Sequence, residues 1–420
     1  MFSPKQEMVL EFPYYGDYDA IICDGSIRAG KTISMLVSFI LWSMSSFNNQ
    51  NFGICGKTVG SVDRNVIKEL LKIKYMQQNF NIRYSASKGY MEISRGKKRN
   101  YYFIFGGKDE SSYQLIQGIT LAGVFLDEVA LMPRSFVEQA LGRCSVDGSL
   151  YWFNCNPESP DHWFLKEWIE QAEHKRALHL HFTMDDNPAL SEKVKERYKN
   201  SYSGVFFKRY ILGLWVRAEG LIYEDFANNP EKYIYDEVPK DLAFINVGVD
   251  FGGNGSKHTF VCTGFTQGFR DVIVLENEKI ETNVSPTQLE DRYVAFVKMC
   301  YNKYGKPITS YPDSAEQVLI KGMVLASAKA GLPNQIFNAR KNEIKQRIML
   351  LLKLMGENRF HIMKNCQQVK GALETAMWDS KKDDTRLDDG TSDIDTIDAL
   401  EYSIEPFMQY LLDTSRLKEE

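Results

Sequence analysis

Short apolar runs alternate with stretches of helical periodicity through the first half of this chain. The apolar runs have the length of buried strands, and helical patterns cover residues 33–42, 61–78 and 190–212. This alternation predicts an α/β unit with a mainly parallel sheet covered by helices. Its candidate strands are residues 20–23, 52–55, 101–105, 123–126 and 150–154, with residues 178–182 as a candidate edge strand.

A second alternating unit begins at Phe244. Its predicted elements are a strand at 245–250, a hairpin of 259–267 with 271–278, a helix at 286–303, a strand at 308–312 and helices at 342–355 and 393–411. Residues 213–230 break the rhythm, and the acidic stretch 383–390 reads as a solvated loop. We therefore predict a first domain at 1–214, a linker at 215–240 and a second domain at 241–420.

Composition and charge narrow the class of protein. The chain has 420 residues, 44% of them hydrophobic and 25% charged, which favours two or three globular domains. No apolar run reaches the roughly 20 residues of a membrane helix, and the N-terminal residues lack a signal-peptide pattern, so we expect an intracellular protein. Seven cysteines without C-x-x-C spacing argue against a disulfide framework and a zinc site. With a net charge of −4, binding of nucleic acid would need local basic patches.

The segment from Gly25 to Thr32 carries the strongest chemical signal. It fits the phosphate-binding pattern G-x-x-x-x-G-K-[ST] between a predicted strand and an apolar helix, with the residues Gly25, Ser26, Ile27, Arg28, Ala29, Gly30, Lys31 and Thr32. Lys31 would reach the β and γ phosphates of a nucleotide, and Thr32 would place its hydroxyl on Mg²⁺. The alternative is a glycine-rich turn that only resembles the motif.

Two adjacent acids, Asp127 and Glu128, end a later strand. Downstream of a phosphate loop, Asp127 would hold Mg²⁺ opposite Thr32, and Glu128 would polarise the attacking water. The alternative is that the pair caps the following helix, since acids favour helix N-termini.

Four further residues are weaker candidates for the nucleotide site. Asn154 and Asn156 end another strand and could sense the γ-phosphate, although they also form an Asn-Pro turn. Arg28 can supply positive charge at the transferred phosphoryl group, or it is a solvent-facing loop residue. Arg143 is a weaker candidate for the same role from a neighbouring subunit, and the favoured alternative is a surface arginine.

Acids at spaced positions predict a second site in the second domain. Asp250 and Asp313 each end a strand, and Asp395 and Asp398 lie three residues apart on one face of the last helix. Such acids can hold two hard cations, Mg²⁺ or Mn²⁺, about 4 Å apart for hydrolysis of a phosphodiester. Any one of these acids alone is more often a cap or turn residue.

Two basic clusters are candidate DNA contacts. Residues 95–99 lie in a predicted hairpin loop, and residues 193–209 place lysines and arginines on a helix. Solvated charge is the usual role of such runs, so the assignment to DNA depends on the two enzymatic sites.

Together these motifs resemble the large subunit of a tailed-bacteriophage terminase, over most of the chain. The residues that carry the resemblance are 4–6, 25–32, 125–128, 154–163, 213–215, 219–220, 249–252, 312–314 and 395–400. The resemblance implies an ATPase of the additional-strand, catalytic-glutamate type joined to an RNase H-like nuclease. It also implies that Gln6 pairs with adenine. It leaves open whether Asp395 is a fourth metal ligand, a helper or a bystander.

The function implied by this resemblance is a viral DNA-packaging motor. ATP hydrolysis with Mg²⁺ would drive double-stranded DNA through the portal protein into the procapsid, and a Mg²⁺- or Mn²⁺-dependent endonuclease would cut concatemeric DNA. The expected partners are DNA, the portal, the small terminase subunit and further copies in a ring, in the host bacterial cytoplasm. Alternatives are a DNA repair or recombination ATPase with a nuclease domain, and a non-enzymatic capsid scaffold.

Overall fold

The chain forms two compact units in the computed structural model, which describes residues 2–252, 257–280, 284–382, 384–389 and 392–413. The first unit runs to Lys199 and includes Phe207–Arg217, and the second contains Asn200–Phe206 and the chain from Ala218. Each unit has its own β-sheet.

The first unit is built on an eight-stranded sheet. Its strands are β1 (Ala20–Gly25), β2 (Asn51–Gly56), β3 (Asn81–Ser85), β4 (Tyr90–Arg95), β5 (Lys98–Gly106), β6 (Gly123–Asp127), β7 (Leu150–Asn154) and β8 (Ala177–Phe182). Their order is β3-β4-β5-β2-β6-β7-β1-β8. The ladders from β5 to β8 are parallel, and only β3-β4 and β4-β5 pair antiparallel. This confirms the mainly parallel sheet, with β8 at an edge.

The central strands β1, β2 and β6 are buried on both faces, as is typical of a parallel sheet covered by helices. The helices of this unit are α1 (Pro4–Glu11), α2 (Lys31–Ser46), α3 (Val59–Val62), α4 (Lys68–Leu70), α5 (Lys74–Asn79), α6 (Arg134–Gly142) and α7 (Glu192–Asn200). Helix α2 lies at the centre, where Phe39 packs edge-on to Trp152 at 5.1 Å between ring centroids. The helix that begins at Lys31 is therefore anchored deep in the core.

The second unit has a seven-stranded sheet of mixed direction. Its strands are β9 (Ile234–Tyr235), β10 (Leu242–Asp250), β11 (His258–Thr266), β12 (Val272–Ile280), β13 (Ile308–Pro312), β14 (Asn334–Ile336) and β15 (Phe360–Met363). Their order is β14-β13-β10-β11-β12-β15-β9. The central β10-β11-β12 meander is antiparallel, and β13 lies parallel beside β10. This topology fits the RNase H-like fold that the resemblance implies.

Helix packing in the second unit brings its last long helix against the first long strand. The helices are α8 (Gly204–Phe206), α9 (Glu224–Asn228), α10 (Pro286–Tyr304), α11 (Gln317–Lys329), α12 (Ile344–Gly356), α13 (Gln367–Thr375), α14 (Ile394–Ile404) and α15 (Met408–Leu412). Helix α14 packs on β10 and β11. The closest approach is at Gly248, where an added Cβ would lie 1.8 Å from the Ala399 carbonyl oxygen. Only glycine permits this spacing.

Three predicted helices are shorter or more broken than their periodicity suggested. The stretch 61–78 contains a π-helical segment at Asp63–Ile67 and ends as α4 before α5 begins. The stretch 190–212 breaks after α7, where the chain passes between the two units. The stretch 393–411 breaks at Glu405–Phe407, because Pro406 lacks a backbone N–H for the helical ladder.

The predicted linker at 215–240 is largely part of the second unit. That unit includes the chain from Ala218, and the segment contributes α9 and the edge strand β9. Tyr223, Phe226 and Tyr233 are buried. Pattern reading missed these aromatic anchors because they are too widely spaced to form a regular period.

No helix among the described residues combines the length and apolar character of a membrane span. The predicted loop at 383–390 lies partly outside the described residues, since Asp383 and Gly390 are not described, and neither is Gly253 after β10.

Candidate active sites

The phosphate loop connects β1 to α2 in a conformation that depends on glycine. Gly25 has a φ of +120°, and an added Cβ would lie 2.0 Å from the Phe182 carbonyl oxygen on β8. The loop backbone is held from outside, because Ser26 N donates to Phe182 O and Ile27 N donates to Tyr210 O, each at 2.9 Å. The residues that follow lead into the N-terminus of α2, where backbone N–H groups favour an anion.

A cavity of about 460 Å³ opens at this loop. The structure brings most of the predicted nucleotide residues to its wall, together with five that the sequence did not indicate. The predicted ones are Ile27, Arg28, Ala29, Gly30, Lys31, Thr32, Asp127, Glu128, Asn154 and Asn156, and the others are Ile33, Arg64, Asn65, Glu69 and Asn187. Gly25, Ser26 and Gln6 do not line it. A pocket walled by loop N–H groups, a lysine and three acids has the chemistry of a nucleoside triphosphate site.

Lys31 is buried and directed toward oxygen acceptors of the loop. Its Nζ donates to Ser26 O at 2.6 Å, to Gly25 O at 3.1 Å and to Asn156 Oδ1 at 3.1 Å. Burial lowers its pKa from the ordinary lysine value. A phosphate would compete for this ammonium, since a charged acceptor makes a stronger hydrogen bond than a carbonyl.

Thr32, Asp127 and Asn154 form one hydrogen-bonded cluster. The Thr32 hydroxyl donates to Asp127 Oδ1 at 3.1 Å, and Asn154 Nδ2 donates to Thr32 Oγ1 at 2.8 Å and also to Asp127 Oδ1. Burial raises the pKa of Asp127, although these two hydrogen bonds oppose the shift. A hydroxyl and a carboxylate side by side next to the phosphate loop fit the ligand set of Mg²⁺.

Glu128 lines the cavity from the position just before a short helix. It has a φ of +60° and forms no side-chain hydrogen bond to the short helix that follows it. Glu128 therefore occupies the N-cap position of this helix without making a side-chain capping hydrogen bond. Burial, reinforced by the charge of Asp127, raises the pKa of this carboxyl to about 7. A carboxylate with this pKa in a nucleotide pocket suits a general base at neutral pH.

The two candidate arginines have different surroundings. Arg28 lines the cavity with a φ of +60°, and its Nε donates to the Tyr198 hydroxyl at 2.8 Å. Arg143 follows α6 and does not line the cavity. Arg64, on the π-helical segment, does line it. Helical periodicity alone could not indicate Arg64, because the π-turn changes which residues face the sheet.

Gln6 lies beside the phosphate loop but is engaged within its own helix. Its Oε1 accepts from Ser3 N at 3.1 Å, completing the N-terminal capping box of α1. Its Nε2 would lie 2.5 Å from a Cβ added at Gly30. Pairing with adenine stays a prediction.

Asp24 links the base of the loop to the Gly213–Trp215 motif. Trp215 Nε1 donates to Asp24 Oδ2 at 2.8 Å, and ring nitrogens of His179 and His181 lie 2.9 and 3.0 Å from Oδ1. Burial alone would raise the pKa of Asp24, but these hydrogen bonds outweigh it and hold the pKa below the ordinary value. This ionised, buried carboxylate fixes the last turn of the first unit against β1.

The four candidate acids of the second unit lie at adjacent elements. Asp250 ends β10, Asp313 follows the neighbouring parallel strand β13, and Asp395 and Asp398 lie on α14. Asp250 is buried, and burial raises its pKa to about 9, with further contributions from the charges of Asp398, Asp395 and Asp313. The structure therefore brings the four carboxyls into one electrostatic group.

Three of these acids are already engaged by hydrogen bonds or ion pairs. Asp398 Oδ1 lies 2.9 Å from both Arg347 Nη1 and Arg386 Nη2, and Asp313 Oδ1 lies 2.8 Å from Lys341 Nζ. Asp395 Oδ2 accepts from Lys257 N at 2.8 Å. Among the described residues, no three metal-binding side chains are arranged to hold an ion as they stand.

The donor set nevertheless fits hard cations. Asp250 is 8% exposed and is surrounded by carboxylates, an arrangement that a divalent cation would relieve. All candidate ligands are carboxylate oxygens, which Mg²⁺ and Mn²⁺ prefer. Sequence reasoning missed the buried arginines Arg347 and Arg386, because their partners are distant in the chain.

The two basic clusters are partly used in ion pairs. The predicted hairpin is present between β4 and β5, but its turn is only Gly96 and Lys97, because Arg95 pairs with Lys98 and Arg99 with Ser94. Arg99 lies 3.4 Å from Glu92. On α7, Lys195 forms ion pairs with Asp185 and Glu192. A DNA-binding role for these clusters stays a prediction.

Phage large terminases are similar to this chain in sequence and in structure. A family model described as "Terminase large subunit, T4likevirus-type, N-terminal" matches residues 22–228. The large terminase of a thermophilic bacteriophage is 36% identical, with a TM-score of 0.84 over 97% of this chain and 99% of that chain. Its complex with ADP matches at 35% identity and a TM-score of 0.81, covering 96% of this chain and 100% of that chain.

The same phage protein in complex with ATP-γ-S matches at 34% identity, with a TM-score of 0.80 over 96% of this chain and 100% of that chain. No curated protein sequence matches this chain.

Proposed function

The chain belongs to the large terminase family of bacteriophages, and we propose that it is the motor and nuclease that packages double-stranded DNA into a procapsid. One observation carries this proposal: 36% identity over 97% of the chain to a phage large terminase, with the phosphate loop and the Asp-Glu pair lining one cavity. The proposal includes docking on a portal, contact with a small terminase subunit and assembly with further copies in the host cytoplasm.

The first unit would hydrolyse ATP. Lys31 and the loop N–H groups bind the phosphates, and Thr32 and Asp127 would hold Mg²⁺, which supplies charge neutralisation at the transferred phosphoryl group. Glu128, which lines the same cavity, would accept a proton from the attacking water. The ADP and ATP-γ-S complexes of the thermophilic phage protein support nucleotide use.

The second unit would hydrolyse phosphodiester bonds of DNA. Asp250, Asp313 and Asp398, with Asp395 beside them, would hold Mg²⁺ or Mn²⁺, which activates water and stabilises the charge on the phosphate. Asp398 has to present its second oxygen, because Oδ1 is bound by two arginines. Asp250 has to lose the proton that its surroundings favour.

DNA packaging in a defined system tests the proposed function. Purified chain, procapsids with portal, linear DNA and ATP should yield DNA that resists added DNase. The variant Lys31→Ala should yield none, because the phosphate contact is lost. A control outside the site is Lys298→Met on α10, which should package normally. Protection of DNA by Lys31→Ala at the parent level would contradict the proposal.

A further inference from the structure

The loop between β14 and α12 carries a lysine into the group of acids. Lys341 Nζ lies 2.8 Å from Asp313 Oδ1, and its charge also acts on Asp250. The Lys341 side chain is 40% exposed, so a substrate at these acids can reach it. The Lys341 ammonium group therefore lies at the acids where we expect DNA to be hydrolysed.

A buried carboxylate fixes the backbone of this loop. Glu405, 1% exposed, accepts from Lys341 N at 2.7 Å, from Asn342 N at 3.0 Å and from Asn342 Nδ2 at 3.2 Å. Burial of a carboxylate is costly, and these three hydrogen bonds offset the cost. Glu405 thereby fixes the loop backbone at Lys341, the residue whose side chain contacts Asp313.

Lys341 itself has a left-handed backbone, with a φ of +51°. A residue with a Cβ adopts this conformation at a cost, and such strain often marks functional sites. The loop is also anchored at Ala339 and Asn342 to residues that neighbour or contact the acids. Ala339 N donates to Pro312 O at 2.9 Å, and Asn342 O accepts from Arg347 Nε at 3.0 Å.

A simple surface ion pair would not require this construction. Exposed pairs contribute little to stability, and a lysine on a flexible stem can reach a neighbouring acid from an unstrained loop. Here a buried acid, a strained residue and two anchoring bonds all fix one ammonium group beside Asp313. The arrangement is that of a preorganised positive charge.

We propose that Lys341 is a catalytic residue of the nuclease, donating hydrogen bonds to the non-bridging oxygens of the scissile phosphate, with Glu405 as its positioning residue. This inference rests on the proposed nuclease function. In the step, a water oxygen bonds to phosphorus, one P–O bond to a sugar breaks, and the water's proton ends on the released sugar oxygen. Lys341 stays protonated and stabilises the charge that accumulates on the phosphate.

Cleavage kinetics of full-length variants test the inference. In Lys341→Met, which keeps length but removes charge, kcat for Mn²⁺-dependent plasmid cleavage should fall about 100-fold or more, as for loss of one preorganised donor. The Mn²⁺ concentration at half-maximal rate and the KM for DNA should change little. Lys341→Arg should restore part of kcat.

Arg340→Met is the matched control, because it removes an exposed cation one residue earlier in the same loop. It should change KM and salt dependence but not kcat. Glu405→Gln, which retains Lys341 but weakens its support, should lower kcat about 10-fold, as typical for positioning groups. If Lys341→Met does not fold, the kcat of Glu405→Gln tests the inference instead, and a parent-level kcat would contradict it.

A kcat for Lys341→Met within about threefold of the parent at saturating Mn²⁺ would overturn the inference and leave Lys341 as a neutralising ion pair. If the parent itself does not cleave DNA, or if Asp250→Asn cleaves as fast as the parent, the proposed nuclease function fails instead. The two failures are therefore distinguishable.

Discussion

At the scale of single residues, the two sites hold carboxyls whose protonation is set by burial. Glu128 lies beside Asp127 in the nucleotide cavity, and Asp250 lies among three other carboxyls. In each case desolvation is the largest cause of the raised pKa. Both groups therefore have to lose a proton before they can serve as base or metal ligand.

The pH dependence of ATP hydrolysis follows from Glu128. Because the pKa of this carboxyl is about 7 in the nucleotide-free protein, kcat/KM should rise from pH 6 to pH 8 as the group deprotonates. Glu128→Gln should lower turnover at least about 100-fold and retain ADP binding. Steady-state rates and fluorescence titration with a labelled ADP measure both. Turnover by Glu128→Gln near the parent rate would remove Glu128 from this role.

Stability without metal should depend on pH through Asp250. Its folded-state pKa of about 9 exceeds the unfolded value, so the folded state binds a proton more tightly between about pH 4 and pH 9. The free energy of unfolding should therefore decrease as pH rises through this window, by at most about 1.4 kcal/mol per pH unit. Asp250→Asn should flatten this dependence and be more stable than the parent at pH 8.

Urea unfolding in EDTA at several pH values tests this expectation. Asp291→Asn, an exposed aspartate on α10, is the control and should follow the parent. If the free energy of unfolding of the metal-free protein increased from pH 5 to pH 8, this would contradict the raised pKa of Asp250.

Sequence alone indicated the residues that belong to short motifs. The spacing of motif residues within a strand–loop–helix pattern implies a specific phosphate-binding mechanism, and it therefore indicated Lys31, Thr32, Asp127 and Glu128. Long-range partners were not found. Lys341 meets Asp313 from a loop 28 residues away, and nothing in the local pattern of residues 337–343 indicates that contact.

At the scale of elements, close approach of α14 to β10 brings Asp398 toward Asp250. The approach depends on Gly248, whose added Cβ would overlap the Ala399 carbonyl. Periodicity predicted both elements, but it could not predict this contact, because a glycine within a strand has several common explanations.

Gly248→Ala should therefore impair cleavage of DNA while sparing ATP hydrolysis. The added methyl group has to displace α14, and a shift of about 1 Å at a catalytic group can cost about 100-fold in rate. The control is Gly371→Ala on α13, where an added Cβ meets no atom within 4 Å. Parent-level cleavage by Gly248→Ala would show that the spacing of α14 does not matter to the site.

At the scale of the whole molecule, the chain passes between the two units more than once. The stretch 200–217 contributes to both units, and the second unit includes the chain from Ala218. The helical pattern over 190–212 did not indicate that this stretch is divided between the two units. Periodicity reports local conformation and does not show which unit a helix packs against.

Truncation should show where the second unit begins. A fragment starting at Ala218 should be more stable than one starting at Tyr235, because the longer fragment retains the buried side chains of Tyr223, Phe226 and Tyr233. Burial of each large apolar side chain contributes about 1.5–3 kcal/mol, so the shorter fragment should be destabilised by several times this amount or be insoluble. Thermal unfolding of both fragments measures the difference, and equal melting temperatures would contradict the assignment.

According to the proposed function, this one chain carries two independent hydrolytic sites. The most direct test measures ATP turnover with Mg²⁺ and DNA cleavage with Mn²⁺ on the same full-length preparations of the parent, Lys31→Ala and Asp250→Asn. Lys31→Ala should lose ATP turnover and keep cleavage, and Asp250→Asn should do the reverse. Loss of both activities in either folded variant, or of neither, would contradict the claim.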